Sequence, residues 1–397
     1  MKKIFYLLLP LLLLNSCHVG RFFYWNFADA RDYKKFPSRP LEKSTQPFHF
    51  KEVANKNLVK LPKEIELKGK KYTFDQAMEK SGTLAFLVIR NDSLLHEKYY
   101  FNYDTASIVP SFSVAKSFVS ALMGIAIDEG YIKSVKEPIT NYLSDLDKTK
   151  FGNITIEHVL NMRSGIEFNE SYFNPFGDVA RYYYGLNLKK YINKHKVGQP
   201  DQNFDYISLN TQLLGLIIEK ATGQKLYDYL QAKIWQPLGM EYDASWSIDS
   251  KKHDTVKAFC CINARARDFA KFGRLYLHNG NWNGQQIVSA DWVRQSTVFE
   301  QNINNFIYSY QWWHNVDVKE WSDTLLLNGP HRIVDGTNAN NERVKYAVQP
   351  ANDYFAEGIL GQFVYVNPAK NIIIVRLGKK YGNIGWGRFC KAIAEQN

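Results

Sequence analysis

The sequence predicts an α+β fold: an antiparallel β-sheet flanked by helices, with a mainly helical subdomain inserted between its strands. Three observations carry this. Two β-rich runs, residues 84–90 and 95–101, are separated by Asn91-Asp92-Ser93, which reads as a hairpin. A second pair, 362–366 and 372–377, lies near the other end of the chain and is joined through Asn367-Pro368-Ala369-Lys370-Asn371. The stretch between the pairs is mostly helical in pattern, so strands from both ends must meet in one sheet around a central insertion.

Composition sets the outer bounds. A chain of 397 residues, 45% hydrophobic and 22% charged, has the apolar material for a large core and is not a disordered tail. Its length suits two or three domains, or one catalytic domain with an inserted subdomain. Four cysteines are too few for a disulfide scaffold, and none are paired as Cys-x-x-Cys. Cys260 and Cys261 are expected as two buried thiols, with a strained vicinal disulfide as the alternative. The net charge of +11 is spread along the chain, and no RNP-like, zinc-finger or basic-zipper pattern accompanies it, which excludes nucleic acid as the partner. The nine histidines form no H-E-x-x-H, and His158, His314 and His331 are far apart, so neither a metal site nor a cofactor is expected.

Along the chain, residues 1–17 are a different material from the rest. Lys2 and Lys3 precede an almost uninterrupted apolar run over 4–14, then Asn15, Ser16 and Cys17. The run is too short to span a bilayer and reads as an export signal. Its end resembles the lipobox of bacterial lipoproteins. That resemblance implies that Cys17 is acylated and that the mature protein is a periplasmic or outer-membrane lipoprotein of the cell envelope, anchored by Cys17. An ordinary cleaved secretory peptide is the alternative. Residues 18–70 form an aromatic and basic lead-in, with Arg21-Phe22-Phe23-Tyr24-Trp25-Asn26-Phe27 at its start. So many aromatics argue against a solvated linker; they pack on the outside of the main domain or face the membrane. The main domain is expected over 71–397, with the helical subdomain at about 130–250.

After the first hairpin the chain reads Val109-Pro110-Ser111-Phe112-Ser113-Val114-Ala115-Lys116-Ser117-Phe118, and then continues apolar nearly all round, as a helix buried through the domain does. Ser113 and Lys116 are three apart, so on a helix they share a face with Cβ atoms about 5–6 Å apart. A serine hydroxyl is a poor nucleophile until a base removes its proton. A lysine becomes such a base when desolvation and the positive end of a helix lower its pKa. The same helix end points N–H groups at a developing oxyanion.

The segment 111–130 resembles the active-site helix of the serine β-lactamase-related hydrolases. Those include class C β-lactamases, penicillin-binding proteins and amidases such as 6-aminohexanoate-dimer hydrolase. The likeness continues through Ile154-Thr155-Ile156-Glu157-His158 to Ser164-Gly165, through Arg265-Ala266-Arg267-Asp268-Phe269-Ala270, and into Gly358-Ile359-Leu360-Gly361-Gln362. The resemblance implies an α+β hydrolase that forms an acyl-enzyme on Ser113, with Lys116 and Tyr206 moving protons and either of them taking the first. It places the oxyanion hole at the backbone of Ser113 and Ala356. Ser208 stands where class C β-lactamases have Asn. No K-T-G or H-T-G is present, and Asp353-Tyr354-Phe355 falls at that site. A carboxylate there cannot recognise the carboxylate of a β-lactam.

Glu170, Tyr172 and Asp178, followed by Tyr182-Tyr183-Tyr184, resemble the acidic and aromatic patch that shapes the amidase pocket, where carboxylates hold an amine-bearing substrate. A solvated loop over a tyrosine-rich packing surface is the other reading. Tyr310-Gln311-Trp312-Trp313 is likewise either a pocket wall or a buried strand. The expected partner is a small-molecule or peptide-like amide or ester. Two alternatives stand beside this: a β-lactamase or D-alanyl peptidase, and a non-catalytic envelope binding protein.

Overall fold

The computed structural model describes residues 18–53, 58–298, 307–322, 325, 331–338 and 340–397; the leader and Cys17 lie outside the described residues. The chain forms two compact units. Unit 1 takes the described residues up to Pro47 together with Ser107–Arg265, and unit 2 takes Phe48–Ala106 with Ala266–Asn397. Residues 18–70 are therefore shared between the units, and residues 130–250 fall within unit 1.

In unit 1 the main helices are α1 (His18–Trp25), α2 (Ala115–Asp128), α3 (Ile156–Leu160), α4 (Asp178–Tyr184) and α5 (Ser208–Thr222). Every residue of α2 from Ala115 to Ala126 is buried, as its all-round apolar pattern requires. It packs on α5, which also receives α3. Thr155 caps α3 reciprocally with His158, and Gly223 ends α5 in the left-handed conformation. A small antiparallel sheet runs Ser38–Leu41, Ala244–Ser247, Ile262–Ala264, Val109–Pro110. Its last strand delivers the chain to the start of α2.

Unit 2 is built on a nine-stranded sheet: β1 (Lys51–Glu52), β2 (Thr83–Arg90), β3 (Ser93–Tyr99), β4 (Tyr308–Ser309), β5 (Trp312–Glu320), β6 (Arg332–Thr337), β7 (Arg343–Gly358), β8 (Gln362–Asn367) and β9 (Ile372–Gly378). The path is β4-β5-β7-β8-β9-β2-β3-β1, with β6 also paired to β7. Strands from both ends of the chain meet where β9 pairs with β2, Ile374 opposite Val88. The expected antiparallel pairing holds except at one edge, where β1 runs parallel to β3. The β2–β3 turn is tighter than the three residues read from the sequence: Arg90 pairs with Ser93, leaving Asn91 and Asp92, both at positive φ (51° and 58°).

Helix α6 (Ala266–Leu277) lies on one face of this sheet, where Gly273 allows close approach to Ile373 and Val364. Helix α7 (Trp386–Gln396) contributes Trp386, Cys390 and Ile393 to a core with Phe86, Val88, Phe363, Tyr365, Ile372 and Ile374. With both faces covered, every position of β8 and β9 is buried, so residues 363–366 and 372–375 read as continuous apolar runs without alternation. Trp312 is fully buried on β5 and stacks on Phe272, so it is strand packing, while Trp313 beside it is half-buried and Tyr310 sits in the turn before the strand.

Candidate active site

Ser113 does not begin the α-helix. It occupies a single 3₁₀ turn, Phe112–Val114, and α2 starts at Ala115. In a 3₁₀ turn residues i and i+3 eclipse, so the tighter geometry still stacks Ser113 on Lys116. Lys116 Nζ lies 3.1 Å from Ser113 Oγ. The turn is fastened from below: Ser111 N–H donates to Ile262 O at 2.7 Å, and Ile262 N–H donates to Ser111 Oγ at 2.9 Å. Phe112, immediately before the serine, is held at φ 44°, a conformation that a bulky side chain adopts only under constraint.

Lys116 is buried, and each of its three donor directions has a partner. Besides Ser113 these are Phe259 O at 2.9 Å and Ser208 Oγ at 3.3 Å. Burial lowers its pKa from 10.5 to about 8, against the opposing pull of the Glu170 carboxylate. The rings of Tyr206 and Phe259 flank the ammonium, with centroids 5.2 and 5.8 Å from Nζ.

Ser208 links the lysine to Glu170. Its Oγ donates to Glu170 Oε1 at 2.6 Å and its N–H to Oε2 at 2.8 Å, while Tyr172 OH donates to Oε1 at 2.9 Å. The Ser208 proton is thereby committed to the carboxylate, so toward Lys116 the hydroxyl can only accept. Phe259 O can only accept as well. When Lys116 is neutral, its two remaining N–H bonds belong to these acceptors and its lone pair is left facing Ser113 Oγ. That is the geometry of a general base.

The Phe259 carbonyl is positioned by a short turn. Gln212 on α5 clamps it from both sides, donating from Nε2 to Val256 O at 3.0 Å and accepting at Oε1 from Ala258 N–H at 3.1 Å. Trp246 Nε1 donates to Cys260 O at 2.8 Å. Cys260 and Cys261 are joined as a vicinal disulfide, which corrects the expectation of two thiols. Adjacency brings the two Cα atoms to 3.7 Å, and Cys261 takes a positive φ of 71°. Both are buried, so burial, the basis of the expectation, does not separate thiol from disulfide.

Of the other residues singled out in the sequence, Asp178 sits at the base of the 169–178 loop. Its Oδ2 accepts from Asn169 N–H at 3.0 Å and its Oδ1 from Arg181 at 2.6 Å. It borders an open cleft of about 640 Å³ with Glu167, Phe168 and His195. Tyr182, Tyr183 and Tyr184 are buried, with hydroxyls engaged by His195, Asp32 and the Asn26 carbonyl. They form a packing surface. Asp353 and Ala356 lie on β7 in unit 2; Asp353 is buried and accepts from Asn315 Nδ2 at 2.6 Å, and Ala356 pairs with Val364. Sequence reasoning missed Gln212 and the Phe259 carbonyl, since a backbone acceptor has no side-chain signature, and treated Ser208 only as a departure. It also missed Lys257, a second buried lysine whose pKa burial lowers to about 7 and whose Nζ donates to Tyr183 O at 2.6 Å. Among the described residues, no cluster of His, Cys, Asp or Glu could hold a metal ion.

A two-unit α+β architecture with a Ser-x-x-Lys pair at the start of a buried helix defines the serine-hydrolase-like β-lactamase fold. Residues 72–385 match the Beta-lactamase family, and the chain belongs to it. The 6-aminohexanoate-dimer hydrolase of Paenarthrobacter ureafaciens is 27% identical over 261 residues, which span 60% of this chain and 66% of that enzyme. Among solved structures, a candidate 6-aminohexanoate-dimer hydrolase of Bacillus anthracis superposes with a TM-score of 0.70 at 19% identity, covering 94% of this chain and 93% of its own. A penicillin-binding protein from Bacillus halodurans superposes with a TM-score of 0.57 at 15% identity, covering 81% of this chain and 99% of its own.

Proposed function

We propose that this protein is an exported serine hydrolase that cleaves an amide or ester through an acyl-enzyme on Ser113. One observation carries the reading: Lys116 Nζ is 3.1 Å from Ser113 Oγ, with its other two directions taken by groups that can only accept. As the Oγ–carbonyl bond forms, the Ser113 proton passes to the Lys116 lone pair. The proton then goes to the departing amine or alcohol as the C–N or C–O bond breaks, with Tyr206 beside the ammonium to relay it. Water attacks the acyl-enzyme, Lys116 again takes the proton, and Ser113 is restored. Glu170 acts as a positioning residue: three of its acceptor sites are filled by Ser208 and Tyr172, and it holds the Ser208 proton away from the lysine.

The amide branch is favoured by the likeness to 6-aminohexanoate-dimer hydrolase. Against β-lactam turnover stands the buried, Asn315-paired Asp353 at the sequence position where a carboxylate-binding cation is otherwise expected. The leader over 1–17 supports placement in the cell envelope with Cys17 as the lipid anchor. The test is labelling with a fluorophosphonate and with tagged penicillin, beside Ser113→Ala. Labelling by the fluorophosphonate alone, lost in Ser113→Ala, is expected. Labelling by both reagents indicates a peptidase or β-lactamase, and labelling by neither indicates a binding protein. Palmitate incorporation that disappears in Cys17→Ala tests the anchor.

A further inference from the structure

We infer that an aromatic patch on unit 1, built from α1 and the 169–178 loop, inserts into the interfacial region of a lipid bilayer. Five large aromatics are left between 46% and 77% exposed there: Phe23, Tyr24, Phe27, Phe173 and Phe176. Ring contacts join Phe22, Phe23, Phe27 and Phe173. Phe27 meets Phe173 at 5.4 Å, and buried Phe22 meets both Phe23 (5.7 Å) and Phe27 (5.5 Å). An exposed apolar cluster of this kind marks an interaction surface.

The patch is rigidly mounted, which a surface built for insertion needs. Helix α1 is pinned to α4 by Phe22 against Tyr184 at 5.2 Å, by Arg21 Nε donating to Tyr184 O at 2.7 Å, and by Tyr184 OH donating to Asn26 O at 2.6 Å. The loop is closed at its base by Asn169 N–H on Asp178 and by Val179 N–H on Asn169 O. Its interior is braced by Phe176 N–H donating to Asn174 Oδ1 at 3.0 Å.

The chain itself indicates a bilayer as the occupant. The described part of α1 starts at His18, the residue after Cys17, and the first seventeen residues of the sequence carry two lysines and an apolar run. At about 1.5 Å per residue, all of α1 lies within roughly 12 Å of the membrane-directed end. Aromatic side chains favour that depth, and Arg31 and Lys34, both exposed just beyond Phe27, suit anionic headgroups. One lipid chain alone gives only marginal, reversible binding, so a second contact is what makes an anchor hold. The inference builds on the anchored reading of the leader but is tested apart from it.

The experiment uses the mature chain from position 17 with Cys17→Ser, which carries neither the apolar leader nor an acyl group, on vesicles of phosphatidylethanolamine and phosphatidylglycerol. Phe176→Cys carries an environment-sensitive dye, and Tyr131→Cys, exposed elsewhere on unit 1, is the control. Expected is quenching of the dye at 176 by lipid-borne nitroxides with none at 131. The triple variant Phe23→Ser/Tyr24→Ser/Phe173→Ser should lower the vesicle-bound fraction roughly tenfold while leaving hydrolysis of a soluble ester unchanged. Quenching absent at 176 in vesicle-bound protein overturns the inference. So does a dye shielded from water but untouched by the nitroxides, which indicates a protein partner or a second copy, and so does failure to bind vesicles. Absence of palmitate labelling of the wild-type protein in cells, with quenching intact, would remove the lipid anchor and leave the patch standing.

Discussion

Replacing Lys116 with Met tests the base assignment through stability rather than rate. The side chain is fully buried and its pKa falls from 10.5 in the unfolded chain to about 8 in the fold. Between those values the unfolded state binds more protons than the native one, so the wild-type protein gains stability as pH rises through that window. Below pH 8 the native state carries the full penalty of a buried charge. From pH 7 to pH 10 the linkage amounts to about 2.5 kcal/mol in favour of the wild type. Lys116→Met has no such proton, while the packing and hydrogen bonds that it loses contribute an offset independent of pH. Urea unfolding of both proteins across this range isolates the linkage, because every other titration is common to the two. The stability difference, wild type minus variant, should climb by about 2.5 kcal/mol from pH 7 to pH 10. A flat difference would mean that Lys116 keeps its ordinary pKa, and the account of a desolvated amine serving as base would fail.

Glu170→Gln removes the charge that raises the Lys116 pKa and frees the Ser208 proton to compete for the amine lone pair. The acid limb of the pH dependence of kcat/KM should move to lower pH while the plateau falls roughly tenfold; a limb that stays put would separate Glu170 from the lysine. Gly215→Ala places a Cβ 2.6 Å from Ala258 and 3.0 Å from Leu226, so calorimetry should show a loss of about 1–3 kcal/mol. Because Ala258 adjoins Phe259, acylation of the folded variant should slow as well. The double variant Cys260→Ser/Cys261→Ser loosens the turn that holds the Phe259 carbonyl on Lys116, and fluorophosphonate labelling should slow by about tenfold or more. An unchanged rate would show that Gln212 and Trp246 hold the turn without the disulfide.

Much of the fold was legible locally. Two hairpin connections, read at 91–93 and 367–371 with the first one residue too long, the nearly all-round apolar helix after Ser113 and the apolar runs of β8 and β9 are written in periodicity and turn chemistry, which act over a few residues. The parallel edge at β1 was not, because two residues of strand are placed by what they pair with and carry no period of their own.

The same division runs through the site. By itself the sequence determined that a hydroxyl and an amine lie one turn apart at the mouth of a buried helix, since a spacing of three dictates that in either helical geometry. Only the tertiary structure decided what makes the amine a base. Glu170 and Ser208 are 38 residues apart, and Lys116 and Phe259 are 143 apart. Which acceptors consume the lysine's hydrogens, and how dry it is kept, depend on the folding of α2, α5 and the 256–261 turn onto one another. Long-range packing sets desolvation and hydrogen-bond direction, and neither is encoded in any local stretch of residues.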